Sequence, residues 1–360
     1  MNSIRSSVGL CLLAGLSGCT HLGPSTIAVD RFDYSSAIAD SWKQQTLLNI
    51  VKLRYMDLPV FVDVASVVTG YSMETTGSLG GSFATPNAVS PGGIMGSGVM
   101  VGGQARFTDR PTITYAPMTG ERFLRALITP LDPKKIFFML QAGYPADFIL
   151  GLTVESINGV RNRATAGGAR EADASFLQVL KLLREIQAVG AVGMRIEEDK
   201  SKGETAVLFF RRDDLSPDIL EKTAEFRRLL KLPPDSPKLM LTYSPVGGAE
   251  NELAVNSRSM LQIMAAFGTY MDVPEAHLKE GRARPAFEGD TTPAQDAVRI
   301  HSGASKPSDT FAAVEYRGYW YWIDDRDWQT KRALTAVMFF FTLAEGGGNE
   351  KLPLITIPAQ

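Results

Sequence analysis

EADASFLQVLKLLREIQAVGAVGMRIEEDKSKGETAVLFFRRDDLSPDILEKTAEFRRLL, residues 171–230, passes from one backbone period to the other and back. Over Glu171–Ala188 the residues Phe176, Leu177, Leu180, Leu183 and Ile186 recur at helical spacing, which predicts an amphipathic helix with that side turned to a core. Val192–Glu197 and Thr205–Arg211 are short and rich in strand-forming residues, and the polar stretch Glu198–Gly203 between them predicts a hairpin. Ser216-Pro217 reads as an N-cap with proline at the first helical position, opening a helix to Leu230. Helix, hairpin and helix in this order lack a regular strand–helix–strand beat. The expected class is α+β, a largely antiparallel mixed sheet with packed helices.

Outward from this stretch the elements stay irregular in order. Tyr34–Tyr55 predicts a helix with Ile38, Trp42, Leu48 and Val51 on its apolar face, ended by Pro59, and Val60–Tyr71 predicts a strand. Arg110–Tyr115 predicts a strand; Gly120–Ile128, Pro133–Ala142 and Pro145–Asn158 predict helices. On the C-terminal side Lys238–Tyr243 predicts a strand, Ser257–Tyr270 a helix, and Pro274–Pro307 a polar surface loop. Thr310–Ile323 predicts a hairpin turning at Arg317-Gly318, followed by a helix over Asp327–Glu345 capped by Gly346–Gly348, and a last strand over Leu352–Ile357. Phe176, Leu180 and Phe340 are expected in the core.

Composition bounds the function. The 360 residues carry 37 Lys+Arg against 39 Asp+Glu, a net charge of −2, which leaves no polybasic footprint for nucleic acid. With 44% hydrophobic and 21% charged residues the chain is expected to fold rather than stay disordered. The three histidines, His21, His277 and His301, are scattered, and the two cysteines, Cys11 and Cys19, have no zinc spacing. There is no P-loop, no nucleophile elbow and no dinucleotide fingerprint. The acid pairs at 197–199, 213–214 and 324–325 fall at expected turns and read as caps. No catalytic residue, metal or cofactor is assigned.

The N-terminus carries an address. Arg5 precedes the short apolar run Val8–Leu16, and Leu16-Ser17-Gly18-Cys19 follows. A basic start, a short apolar segment and small residues before a cut site describe a secretory signal peptide, too short for a membrane-spanning helix. L-S-G-C resembles the lipobox of bacterial lipoproteins. The resemblance implies cleavage between Gly18 and Cys19 and acylation of Cys19, which would be the one cysteine of the mature chain and its hold on the lipid bilayer. Thr20, where inner-membrane lipoproteins have Asp, implies the outer membrane, facing the periplasm. The stretches LLNIVKLRY (47–55), RPTITYAP (110–117) and LTVESINGVRNR (152–163) resemble a family of bacterial outer-envelope lipoproteins that has no assigned activity. The expected organisation is a signal peptide at 1–18, a lipidated tether at 19–33, a helix with a Gly-rich hairpin or loop at 34–109, and an α+β domain at 110–360.

Two segments are candidate sites. Residues 77–103 hold nine glycines, with Pro86 and Pro91 between them. On both flanks the apolar residues fall mostly on odd positions, Tyr71, Met73, Leu79 and Phe83 on one arm and Val99, Val101 and Phe107 on the other, with Ser97 and Gly103 weakening the odd set and Met100 the exception on the even one. Such alternation predicts a long β-hairpin and is also the pattern of a membrane strand, which needs about 9–11 residues. A lone hairpin leaves backbone groups unpaired in lipid, so a membrane role requires further copies. The second segment is Tyr319, Trp320, Tyr321 and Trp322. Because strand side chains alternate, one pair faces a core and the other forms an aromatic surface for a glycan or a partner strand, or one lying at a membrane interface. The sequence therefore points to a lipid-anchored, non-enzymatic structural, assembly or partner-binding module of the cell envelope. Its partners would be copies of itself or another envelope protein. The alternatives are a subunit of an oligomeric outer-membrane β-barrel using hairpin 67–107, and an envelope enzyme of unknown substrate.

Overall fold

A computed structural model of the chain describes residues 22–68, 71–82, 98–109, 112–164, 171–199, 203–211, 213–283 and 298–345. These fall into two units, which are taken separately. One comprises, of the described residues, 22–39, 62–68, 71–82, 98–109 and 112–116; the other comprises residues 40–61 and the described residues from 117 to 345.

The larger unit is α+β, as its patterning predicts. Its six-stranded sheet contains β5 (Val154–Ile157), β6 (Val160–Arg161), β7 (Val192–Asp199), β8 (Gly203–Phe210), β9 (Lys238–Tyr243) and β10 (Glu252–Ser257), in the order β6-β5-β10-β9-β8-β7. All neighbours are antiparallel except β9 and β10. Helices α2 (Glu121–Ile128), α3 (Pro133–Gln141), α4 (Ala146–Thr153), α5 (Ala174–Ala188), α6 (Pro217–Leu229) and α7 (Met260–Gly268) belong to the same unit. So do a short α8 (Glu275–Lys279) and the long α9 (Trp328–Glu345). A second sheet has the order β11-β13-β12, from β11 (His301–Gly303), β12 (Thr310–Tyr316) and β13 (Tyr319–Asp324).

Local chemistry accounts for the element ends. The Ser216 hydroxyl accepts from the Ile219 amide, with Pro217 behind it. Ser259 and Gln262 form a reciprocal capping box on α7. The Asn158-Gly159 and Arg317-Gly318 turns have φ of 46° and 83°, and 52° and 79°, the two left-handed residues that a tight hairpin requires. One core joins the unit. It includes Leu47, Ile50, Phe61, Phe137, Phe176, Leu180, Phe226, Phe267, Tyr321 and Phe340. The predicted core residues Phe176 and Phe340 are fully buried, and Leu180 nearly so.

Several expectations need correction. Pro145–Asn158 is a helix only to Thr153; β-branched Val154 and Ile157 then form β5, and Asn158-Gly159 turns the chain into β6. Pro274–Pro307 is not wholly a polar surface loop: it contains α8 and β11, and His277 is buried. Leu177, expected on the inward side of α5, is 42% exposed. The first helix, α1 (Leu22–Arg54), begins before Tyr34 and takes in much of the stretch read as a tether, its Pro24 standing in the first turn where no intrahelical N–H is lost. Its buried residues are Leu47, Ile50 and Val51, whereas Ile38 is exposed. The helix stops where Met56 takes φ 59°, and the buried Asn49 amide holds the outgoing chain through both the N–H and the C=O of Val60. The segments 346–348 and 352–357 lie outside the described residues.

The smaller unit is a ribbon of paired strands together with the first part of α1. β1 (Phe61–Val68) pairs with β4 (Thr112–Met118), and β2 (Tyr71–Ser82) pairs with β3 (Gly98–Asp109), each pair forming a two-stranded sheet. The Gly-rich flanks are therefore strands, as the alternation predicts.

Candidate functional site

The β2–β3 ladder is antiparallel and uninterrupted over twelve residue pairs, from Tyr71 opposite Asp109 to Ser82 opposite Gly98. Each pair joins positions of the same parity. Residues directly opposite in an antiparallel ladder stand on the same face, so the odd positions of both arms share one side. Met73 is opposite Phe107, Leu79 opposite Val101, and Gly81 opposite Val99. The even side pairs Glu74 with Arg106, Thr76 with Gln104 and Ser72 with Thr108, and Met100 is its one large apolar residue. A register shifted by one residue would have mixed the two sets. Of the predicted hairpin residues, Tyr71, Met73, Leu79, Val99, Val101 and Phe107 lie on this ladder, and Phe83 lies outside the described residues, as do Gly18 and Cys19.

Where side chains of this unit are described, none is buried. Val62 on β1 and Ile113 and Tyr115 on β4 are exposed, the last by 60%, and Phe32 of α1 by 74%. Among the described residues no third strand joins either two-stranded sheet. Isolated two-stranded ribbons are marginal in water, and unpaired edges are templates for further strands.

The aromatic segment lies in the larger unit, on β13. Tyr321 and Ile323 are fully buried, while Trp320 and Trp322 are half-buried on the opposite side. The four consecutive aromatics are thus divided by the pleat, and Tyr321 belongs to the core rather than to an aromatic surface. Trp322 is opposite both Ala313 and His301 and stacks on the His301 ring, with centroids 5.5 Å apart. Gly303 leaves room for the same indole, because a Cβ there would come within 3.2 Å of it.

Behind Tyr321 lies a buried polar chain. The Tyr55 hydroxyl is 2.7 Å from Nδ1 of His277 and 2.6 Å from the Tyr321 hydroxyl. Burial pushes the His277 pKa down, and the Arg282 charge adds to this. The ring is therefore neutral near pH 7, and in the tautomer that carries its proton on Nε2, Nδ1 accepts from the Tyr55 O–H while Tyr55 accepts from Tyr321. That arrangement gives each tyrosine O–H an acceptor and Nδ1 a donor. Burial likewise raises both tyrosines, Tyr321 most strongly. The rings of His277 and Tyr319 meet edge to face at 4.9 Å. Nothing in this enclosed chain opens to a substrate, so it is a structural link from α1 and α8 to β13.

Two of the depressions that the described residues of this unit form have volumes of hundreds of Å³. The larger, about 650 Å³, lies between α5 and α6. Five of its charged side chains pair with one another, Lys222 with Glu185 at 2.9 Å and with Asp218 at 2.7 Å, and Arg228 with Glu225 at 2.6 Å. The other, about 400 Å³, lies beside Trp320 and is lined by Asp40, Lys43, Lys306, Phe311 and Asp325. Among the described residues no cluster of three or more His, Cys, Asp or Glu side chains is placed to hold a metal ion. No helix among them is long and apolar enough to cross a membrane.

His277 and Tyr55 were invisible as partners in the sequence, where 222 residues separate them; only the tertiary fold brings them together. No family model, curated protein or solved structure matches the chain.

Proposed function

We propose that the chain is a lipid-anchored, non-enzymatic lipoprotein of the bacterial outer membrane that assembles with copies of itself through the β2–β3 ribbon. The ribbons then close into a β-barrel in the bilayer. The observation that carries this reading is the register. Twelve pairs place an apolar set of positions on one side and a polar set on the other, with Glu74 opposite Arg106, the division between a lipid face and a wet lumen. Twelve residues extend about 40 Å, enough to cross a hydrocarbon layer of about 30 Å at the usual barrel tilt. The open edges among the described residues and the lack of burial among the side chains described in this unit are what a protomer awaiting neighbours presents. At two strands per copy, about four or more copies are needed for the smallest common barrels. Cys19, acylated, would keep each copy at the membrane, since two or more acyl chains anchor stably.

The test is the mass and shape of the full-length lipidated protein extracted in detergent. A ring of four or more copies is expected, and a monomer under all mild extraction conditions overturns the assembly. The anchor is tested separately with Cys19→Ser, which is expected to remain unprocessed and to incorporate no radiolabelled palmitate. Label entering that variant overturns the lipidation.

A further inference from the structure

Residues 71–108 hold one acid, Glu74, and one base, Arg106, and the β2–β3 register sets these two directly opposite each other on the even side. The rest of that side carries Ser, Thr, Gln and Gly with Met100, none of them charged. Asp109, the ladder's other charged residue, is its last, on the odd side opposite Tyr71. A register shifted by two residues would keep both faces intact and still part the pair, setting Glu74 opposite Gln104 or Thr108. The observed register therefore does more than sort apolar from polar positions. It brings the acid and the base of this segment to one cross-strand pair, where opposite charges attract.

We propose that Glu74 and Arg106 are the charge filter of the barrel, a neutral belt that passes small hydrophilic solutes without selecting the sign of their charge. This deepens the barrel reading and rests on it. Copies in a closed ring are related by rotation about its axis, so each residue recurs at one level. Every copy then brings one acidic and one basic residue to the same belt, and the fixed charge cancels whatever the number of copies. The belt lies about 10 Å along the strand from the Tyr71 end, three residues in. A ring of one sign of charge selects ions of the other sign, the more so between low-dielectric walls that focus its field. Glu74 therefore cancels the anion selection that Arg106 alone would impose, and Arg106 cancels the cation selection of Glu74. Over the rest of the ladder the lumen side offers uncharged positions, which favour neither sign.

The experiment reconstitutes the full-length lipidated protein in planar bilayers of uncharged lipid and reads the potassium-to-chloride permeability ratio from the reversal potential in a KCl gradient. The wild-type ratio is expected to lie within about twofold of one, and Glu74→Gln and Arg106→Gln to move it in opposite directions, toward chloride and toward potassium, each by about fivefold or more. The double variant Glu74→Gln, Arg106→Gln should return it to near one, which a merely structural role of the pair would not do. Should a single variant fail to insert, the reciprocal Glu74→Arg, Arg106→Glu chain keeps the pair and should conduct with a ratio near one; a strongly selective reciprocal chain overturns the filter. Wild-type channels with both single variants unchanged in selectivity, or both shifted in the same direction, overturn the filter and leave the barrel standing. A wild-type protein that never conducts overturns the barrel and the filter together.

Discussion

Replacing His277 with glutamine should remove a defined part of the pH dependence of stability. The folded protein holds the imidazole neutral, because burial first, and then the Arg282 and Arg317 charges, push its pKa below the ordinary 6.5 against the opposing charge of Glu280. The groups that face it are Tyr55 just after α1, Tyr319 of β13 and the Arg317 turn, together with Glu280 and Arg282 just beyond α8. Above pH 6.5 neither the folded nor the unfolded ring is charged, and the full contribution is present. As the pH falls below 6.5 the unfolded chain takes up a proton that the folded chain refuses, so stability falls until the folded pKa is reached. One proton sets the limiting slope at about 1.4 kcal/mol per pH unit. Protonation would also reverse the hydrogen bond to Nδ1, leaving one of the two tyrosine O–H groups without an acceptor in this chain. Glutamine cannot titrate. At pH 7.5 and above, His277→Gln should cost about 1–3 kcal/mol for the disturbed buried hydrogen bond. The gap between the two proteins should then narrow as the pH falls from 6.5 toward 5. Denaturant unfolding of both at half-unit steps from pH 5 to 8 measures that gap. A gap that is constant across the range would show that the ring does not titrate differently in the folded state, and the reasoning would fail.

The remaining predictions concern packing, a turn and the ribbon. Phe340→Ala empties a fully buried ring site on α9 and should cost about 3–5 kcal/mol; an unchanged denaturation midpoint would count against a shared core. Asn158 donates to the Leu230 and Glu252 carbonyls, accepts from the Ala254 amide and holds φ 46°. Asn158→Ala should therefore destabilise by about 2–4 kcal/mol, and chemical denaturation checks it. Val99→Arg places a charge on the proposed lipid side, at a cost of about 2–4 kcal/mol near the bilayer midplane, whereas Gly98→Arg lies on the other side and should be milder for insertion. Equal, wild-type-like membrane extraction and conductance in both variants would remove the barrel.

Much of the fold was legible because it rested on local chemistry. β9 begins and ends where its residues predict, the Ser216-Pro217 start follows from capping alone, and Arg317-Gly318 turns the aromatic hairpin as expected. Errors arose where an apolar run suited both periods. From Phe148 to Ile157 the composition fits a helix as well as a strand, and the Asn158-Gly159 pair, a strong hairpin signal, was the overlooked sign that a strand had begun. β10 escaped because its sequence, ELAVNS, is short and its neighbours β5 and β9 come from distant parts of the chain. The division of Trp320 and Trp322 from Tyr321 followed from the pleat, but which side was buried depended on α1 and α8 supplying Tyr55 and His277. Parity on the Gly-rich arms was readable; the register that aligns the two parities was not, because it depends on how the two arms pair.

In the proposed ring, a ribbon whose two edges each need a neighbour makes every copy a condition for the whole. Suppose a cell makes sound and edge-blocked chains in equal amounts, for instance chains with a proline where an outward N–H must pair. A ring of four would then be free of blocked chains in roughly one case in sixteen. Such a variant should behave as dominant, suppressing the wild-type copies around it. A deletion, which contributes no edge at all, should be recessive. The genetics of this protein would in that way record the geometry of a single β-ladder.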